Sequence, residues 1–371
     1  MKNYRYSVAL DVDDVLMPCA SLACDLANKE GLFNPPLDIN EIKAWNLAGT
    51  RAESLLSYFK DPEFYKRQRP YPGAQEFVKK LSKKAEIFIV TAIEEESIGV
   101  RMKQIKEYFP QINPKNIIPA YRKDVINVDF TLDDGAHNVL ASNAKYPVLF
   151  RRPWNEHITG VLAINNYDEF LNIIDCIKES YVDNAISFTK PVVVAIVGPS
   201  GSGKTTLVNS LLRYDKIRKP VSATTRKRRE GESEKAYHFI SNAEFESMRK
   251  DMRFAETTVY AGNKYGTELS GINQVLKEGK HCIMAIDISG AMALKMQYRT
   301  VIMYIKRDRN KLIDTMIQRV LDGETTKEDI VNRIVSLDDE KKNVELCDYI
   351  IDNNGNVSDA VSEIFSILKL K

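Results

Sequence analysis

No stretch of this sequence approaches the roughly 18 consecutive apolar residues of a membrane-spanning helix, so a helical membrane protein is not expected. Cysteine is scarce: the five residues, Cys19, Cys24, Cys176, Cys282 and Cys347, form no CxxC pair and are odd in number. That pattern argues against a disulfide framework or a zinc site. Charge of one sign is also lacking, since 53 basic and 51 acidic residues leave a net +2, and no general polyanion-binding role follows. There is no low-complexity tract and no internal repeat. MKNYRYS runs directly into an apolar strand ending at Asp11, which leaves no room for a signal peptide. A reducing, cytoplasmic location is the expectation.

What is present is 44% apolar and 28% charged residues over 371 positions, the balance of a soluble globular chain. At roughly 150 residues per domain this length predicts two or three compact units. Two apolar runs, SVAL before Asp11 and VVVAIV before Gly198, each lead into a chemically loaded loop, as buried parallel strands do. EIFIV before Thr91, DFTL before Asp133, and YPVLF are further expected strands. Helical patterns such as GAQEFVKKLSKK and IGVRMKQIKEYF lie between them. Alternation of this kind predicts an α/β fold. The helical pattern DEFLNIIDCIKESYVDNAI ends before the polar SFTKP, which places a boundary so that the domains run 1–182 and 190–371.

GPSGSGKT, Gly198 to Thr205, satisfies GxxxxGK[ST] directly after a strand, the context a phosphate-binding loop requires. Backbone N–H groups around Gly198, Gly201 and Gly203 can curl about phosphate oxygens, with the following helix N-terminus adding favourable potential. Lys204 is expected to reach the terminal phosphates and Thr205 to help hold Mg²⁺. Ser200, Ser202 and Thr206 complete the expected ATP-binding set. A P-loop does not by itself say what accepts the phosphoryl group.

Downstream, VSATTRKRREGESEKAYHF resembles the acceptor-binding segment of guanylate kinases, with Ser222, Arg226, Arg229 and Tyr237 on the positions that grip the GMP phosphate. Guanidinium forks and hydroxyl donors suit a phosphate dianion, whereas an isolated RKRR would read as a solvated turn. FAETTVYAGNKYGTE resembles the family's second acceptor segment, and the resemblance implies GMP contacts at Glu256, Tyr265 and Thr267. Carboxylates suit the adjacent N1–H and N2–H₂ donors of guanine, so Glu256 and Asp287 are expected to read the base. The resemblance further implies lid arginines at Arg319 and Arg333. The chain departs from the family where Ala285 replaces an acid, Ser289 a glutamine and Thr315 a third arginine. Those departures bear on turnover more than on binding.

In the first half, ALDVDDVLM sets Asp11 and Asp13 one residue apart at a strand end. Two such carboxylates can divide labour, one attacking phosphorus and one moving protons; alone, the pair could equally cap a loop or bind a metal. Its spacing resembles that of the haloacid dehalogenase phosphatases, and Thr91, Lys123, Asp133 and Asp134 follow in that family's order. Within it the closest likeness is to the 5′(3′)-deoxyribonucleotidases, carried also by YPVLFRRPWNEH and NNYDEFLNII. The likeness implies Asp11 as nucleophile, Asp13 as acid/base, and Mg²⁺ held by Asp11, the Asp13 carbonyl and Asp134, with Asp133 orienting the surroundings. It also implies a helical cap at about 17–71, where Phe33, Trp45 and Tyr65 are candidates to stack on a base or to form cap core.

The expected architecture is therefore a Rossmann-like haloacid dehalogenase core with a small helical cap, followed by a P-loop nucleoside monophosphate kinase fold. The expected function is a Mg²⁺-dependent nucleotidase joined to an ATP-dependent (d)GMP kinase, with nucleoside monophosphates and ATP as partners. Nucleic acid and membrane are not expected, and homo-oligomerisation is left open. Two alternatives stand beside this. Polynucleotide kinase-phosphatases join the same two chemistries, but no extended basic and aromatic track is evident here. Guanylate-kinase-like domains can also serve as binding modules without turnover.

Overall fold

The computed structural model describes residues 6–158, 160–180, 190–228, 232–233, 237–251, 253–260, 262–322, 330–331, 334, 337 and 340–370. The chain divides into two compact units, Met1–Asn172 and Ile173–Lys371. That division falls within a helix, Tyr167–Ser180, upstream of the boundary expected from the sequence.

In the first unit, six parallel strands are ordered β3-β2-β1-β4-β5-β6. They are β1 (Tyr6–Leu10), β2 (Ala85–Thr91), β3 (Ile117–Pro119), β4 (Phe130–Asp133), β5 (Tyr146–Phe150) and β6 (Leu162–Ile164). Val8, Leu10, Phe130, Leu132 and Val148 are fully buried, because strands covered on both faces need apolar side chains on both. Since β2, β1 and β4 are neighbours, their C-terminal ends bring Thr91, Asp11 and Asp133 side by side. The strands expected from SVAL, EIFIV, DFTL and YPVLF are all present.

Between β1 and β2 the chain forms α1 (Ala20–Lys29), two 3₁₀ turns, α2 (Pro62–Arg67) and α3 (Ala74–Leu81). Within residues 17–71, Cys24, Leu37, Leu55, Phe64 and Tyr65 form a hydrophobic cluster that also takes in Ile93 and Trp154. A segment with its own apolar core can sit over the strand ends as a body. After β2 comes α4 (Ile98–Tyr108), and α5 (Ala136–Ala141) follows β4. The helix Tyr167–Ser180 is α6.

In the second unit, five parallel strands are ordered β15-β14-β7-β13-β8. The central three are β7 (Val193–Val197), β13 (His281–Ala285) and β14 (Thr300–Lys306), with β8 (Ile217–Arg218) and β15 (Tyr349–Asp352) at the edges. Val194, Ile196, Ile283, Val301 and Met303 make its core with α7 (Lys204–Leu211) and the final helix, Val357–Leu368. A separate four-stranded sheet orders β9 (Ser222–Thr224), β10 (His238–Phe239), β11 (Phe254–Tyr260) and β12 (Asn263–Glu268) as β10-β9-β12-β11. That small sheet carries Ser222, Glu256, Tyr265 and Thr267 of the expected acceptor residues, and its strands were not expected from the sequence pattern.

Candidate functional sites

In the first unit the site grows from the end of β1. Asp11 is almost fully buried, and its carboxylate receives the Val12 N–H at 2.8 Å. Lys123 sets its ammonium between two acids, 2.8 Å from Asp11 Oδ2 and 2.7 Å from Asp133 Oδ2. The other oxygen of Asp133 accepts from Gly135 N–H and from the Asn138 amide. Asp134 is fully buried; its Oδ2 accepts from the Trp154 indole at 3.0 Å, while its Oδ1 has no hydrogen-bond partner among the described residues.

Asp11, Asp133 and Asp134 each present a carboxylate oxygen within 4.8 Å of the others. Burial raises the Asp11 carboxyl to about 7, against the pull of the Lys123 ammonium and with the push of Asp133 and Asp13. Burial likewise lifts Asp134 far above the usual carboxylate range, with Asp14, Asp133 and Asp11 adding repulsion. Although burial opposes its charge, Lys123 is raised above its ordinary value by Asp11 and Asp133. Three buried carboxylates lie about one ammonium that contacts two of them, and one oxygen of the third has no donor among the described residues. An all-oxygen donor set with that charge deficit fits a hard divalent cation such as Mg²⁺.

Thr91 is wholly buried at the end of β2, and its hydroxyl has no partner among the described residues. Asp13 does not contribute its carboxylate to the acidic cluster. Both of its oxygens accept from Arg101 Nη2, at 2.7 and 2.6 Å, and Oδ1 also accepts from the Gln68 amide at 2.8 Å. The neighbouring Asp14 has a different task. Its φ of 53° lies in the left-handed region, and its carboxylate accepts from the N–H groups of Cys19 and Ala20 and from the Tyr71 hydroxyl. Both chain entries to residues 17–71 are thus tied to Asp14.

Of the three aromatics expected near a base, Trp45 is 47% exposed, with its ring 5.5 Å from His137 and 6.2 Å from Trp154. Tyr65 is buried and stacks on Arg101, and Phe33 lies under Arg51, so these two serve packing. Arg101, Gln68, Trp154 and Asn138 were not marked by the sequence.

In the second unit the P-loop leaves β7, and α7 starts at Lys204. Gly203 has φ 89°, and a Cβ there would meet the Asn353 amide nitrogen at 2.5 Å, so only glycine fits. Asn353 donates to Ser202 O at 2.7 Å and Arg307 to Gly201 O at 2.8 Å, so two side chains from neighbouring strand ends fix two carbonyls of the loop. Lys204 donates to Gly198 O and Pro199 O. Thr205 and Thr206 lie exposed on the first turn of α7. Arg319, from the helix Arg309–Leu321, reaches Ser200 Oγ at 3.5 Å, and Thr315 of the same helix packs beside Gly201. Arg333 lies outside the described residues.

At the small sheet, Ser222 of β9 pairs with Thr267 of β12. The Thr267 hydroxyl donates to Glu256 at 2.7 Å. Burial, and then the charge of Asp287, raises the Glu256 carboxyl to about 7. Asp287 accepts from Gly290 N–H at the start of the helix Ile288–Gln297 and is exposed to solvent. Tyr237 and Tyr265 have ring centres 6.0 Å apart, and the Arg226 guanidinium lies 5.6 Å from the Tyr237 ring. Both terminal nitrogens of Arg226 are engaged by Glu232. Arg229 lies outside the described residues. Ala285 is exposed at the end of β13, so the position where an acid was expected has no carboxylate.

Comparison with known proteins matches residues 189–371 to the family model described as guanylate kinase. Residues 5–180 match the model described as 5′ nucleotidase, deoxy (pyrimidine), cytosolic type C protein. The guanylate kinase of Clostridium tetani is 37% identical over 182 residues, spanning 48% of this chain and 86% of that protein. That of Chlamydia muridarum is 33% identical over 187 residues, spanning 48% of this chain and 85% of that protein. A crystal structure of guanylate kinase from Anaplasma phagocytophilum is 24% identical, covers 50% of this chain and 88% of that one, and superposes with a TM-score of 0.38.

Proposed function

This chain belongs to the guanylate kinase family through residues 189–371, and from that premise we propose that it is a bifunctional enzyme of nucleotide metabolism whose halves move phosphate in opposite directions. The second half transfers the γ-phosphoryl group of ATP to GMP or dGMP. The first half hydrolyses nucleoside monophosphates. The observation that carries the hydrolytic activity is the ammonium of Lys123 held between Asp11 and Asp133 beside the Asp134 oxygen that has no partner among the described residues.

In the hydrolytic half, Asp11 attacks phosphorus while the bond to the nucleoside oxygen breaks, and Asp13 gives that oxygen its proton. Asp13 then takes a proton from water, whose oxygen attacks phosphorus and frees the Asp11 carboxylate together with inorganic phosphate. Lys123 holds Asp11 in place and offsets the negative charge gathering there. Asp11, Asp134 and the Asp13 carbonyl would hold Mg²⁺, with Asp133 fixing Lys123. The ion supplies charge that keeps the acids ionised and neutralises phosphate oxygens. Thr91, at the end of the adjacent strand, offers its free hydroxyl to the phosphate.

In the kinase half, the GMP phosphate oxygen attacks the γ-phosphorus of ATP and ADP leaves. Lys204 exchanges its loop carbonyls for phosphate oxygens, and Arg319, already at Ser200, covers the transferring group. Thr205 would share Mg²⁺ with the phosphates. Glu256 and Asp287 accept the guanine donors, and Ser222, Arg226 and Tyr237 take the acceptor phosphate. Different base preferences or regulation would keep the two halves from a futile cycle.

Two assays test this reading. ADP release with GMP and dGMP must be lost in Lys204→Ala, and phosphate release from a panel of nucleoside monophosphates must be lost in Asp11→Asn. Equal activity of both halves on dGMP would defeat the division by base.

A further inference from the structure

The largest side chain among the fully buried residues is a charged one, Arg101, at 1% exposure. It projects from α4, just after β2, and is the only cation in contact with Asp13 among the described residues. Nη2 donates to both Asp13 oxygens, and Nη1 donates to Gln68 Oε1 at 3.1 Å. Gln68 is itself fully buried and closes the triangle, its amide donating to Asp13 Oδ1 at 2.8 Å and to Pro18 O at 3.1 Å. Tyr65 lies over the guanidinium at 5.1 Å, and Gln104, one turn along α4, donates to Tyr65 O. The Nε of Arg101 has no partner among the described residues.

Burying a guanidinium carries a desolvation cost that its ion pair seldom does more than offset. A leucine or methionine would serve the core better. The arrangement is therefore better explained by what it holds than by stability. Asp13 has to carry a proton in each of two steps, and a carboxylate free to rotate would meet the leaving oxygen and the attacking water only part of the time. One nitrogen bridging both oxygens, with Gln68 on Oδ1, restricts the carboxylate to a single orientation.

We infer that Arg101 is the positioning residue for Asp13, and that Gln68 and Tyr65 make this placement depend on the seating of residues 17–71. The inference rests on the hydrolytic reading of the first half. Gln68 and Tyr65 belong to the segment that covers the strand ends, whereas Arg101 belongs to the core. When that segment is displaced, Asp13 loses one of its two holders and Arg101 loses its stacking partner. Proton transfer is thereby tied to a covered site.

The test uses the full chain and two substrates. A nucleoside monophosphate leaves as a poor alkoxide and needs a proton from Asp13, whereas p-nitrophenyl phosphate leaves without one. With Arg101→Met, kcat for the nucleotide is expected to fall about 100-fold with KM little changed. p-Nitrophenyl phosphate is expected to show a burst of one phenolate per enzyme, then slow turnover, because Asp11 is still phosphorylated but water is no longer activated. Asp13→Asn should behave alike, and the double variant should be no worse than Asp13→Asn alone. Arg101→Lys should recover part of the rate. Multiplied losses in the double variant, or a raised KM with no burst, would overturn the inference. Should Arg101→Met fail to fold, Gln68→Leu keeps the ion pair and should still show the burst; steady wild-type turnover there would count as refutation. Absence of wild-type hydrolysis, or full activity in Asp11→Asn, would defeat the hydrolytic reading itself. A wild-type-like Arg101→Met beside an inactive Asp13→Asn would defeat this inference alone.

Discussion

Arg226 gives both terminal nitrogens to Glu232, at 2.7 and 3.0 Å, so the guanidinium expected to grip the acceptor phosphate already holds a carboxylate. The pair is mostly shielded, with side-chain exposures of 15% and 20%. A phosphate dianion entering the site has to displace or share that contact. Glu232→Gln is expected to lower the KM for GMP about two- to fivefold, the scale of a partly shielded ion pair, with kcat unchanged. Steady-state kinetics across GMP concentration checks this. A raised KM would mean that Glu232 aims Arg226 instead of competing for it.

With Glu256 as the proposed guanine acceptor, GMP recognition is expected to depend on pH. Its carboxyl sits at about 7 in the ligand-free protein against an ordinary 4.5, so below neutrality it is mostly protonated and offers guanine one acceptor where two are wanted. The KM for GMP is expected to rise about tenfold per unit of pH below 7 and to level off above it. The stability sign follows. The folded state holds this proton more tightly, so the contribution is fully present below about 4.5 and is lost as pH rises through 7. Glu256→Gln should therefore melt higher than wild type at pH 8, and the advantage should vanish at pH 4.5. Identical pH profiles for the two proteins would contradict the assignment.

Removing the Lys123 ammonium leaves Asp11 and Asp133 facing each other without a counter-charge. Lys123→Met is expected to abolish nucleotide hydrolysis and to cost about 3 kcal/mol of stability in the first unit, as for breaking one side of a buried pair. Phosphate release and denaturant unfolding measure the two effects. GMP phosphorylation by the same protein should persist, because no residue of the P-loop is touched.

Trp154 acts on the acidic cluster from outside it, through its indole N–H on Asp134 Oδ2. Losing that donor frees Asp134 to rotate. Trp154→Phe keeps most of the packing and is expected to raise the Mg²⁺ concentration needed for half-maximal hydrolysis about 10- to 100-fold. Full rate at saturating Mg²⁺ would separate this from loss of fold; an unchanged Mg²⁺ requirement would show that Asp134 is not held by Trp154.

Gly203 of the P-loop offers a control on the kinase half. A methyl group at position 203 would have to occupy the space of the Asn353 amide with the backbone at φ 89°. Gly203→Ala is therefore expected to remove GMP phosphorylation while sparing nucleotide hydrolysis, which parallel assays on one preparation will show.

Much of the fold was legible because its strands are short apolar runs that end in chemistry. Those before Asp11, Thr91, Asp133 and Gly198 stand where the alternation placed them. The small sheet was not legible as strands. β9 and β10 are three and two residues long, too short for any period, and were found only through the residues they carry. Arg101 was hidden for another reason. On α4 the buried face is Arg101, Gln104 and Ile105, so the helical spacing is regular while two of its three inward residues are polar. A reading that seeks apolar residues on the inner face passes over it.

By itself the sequence determined the features that act through adjacent residues: the phosphate-binding loop, the acids flanking Val12, and the acidic pair at the end of β4. Each works because a strand end fixes the backbone on which consecutive side chains or N–H groups are displayed. Only the tertiary structure decided how Asp13 is held, because its two holders come from 55 and 88 residues away along the chain. It likewise decided that Asn353 closes the space behind Gly203. Local periodicity says which face of an element is buried; the order in which parallel strands are laid side by side says whose side chains meet there.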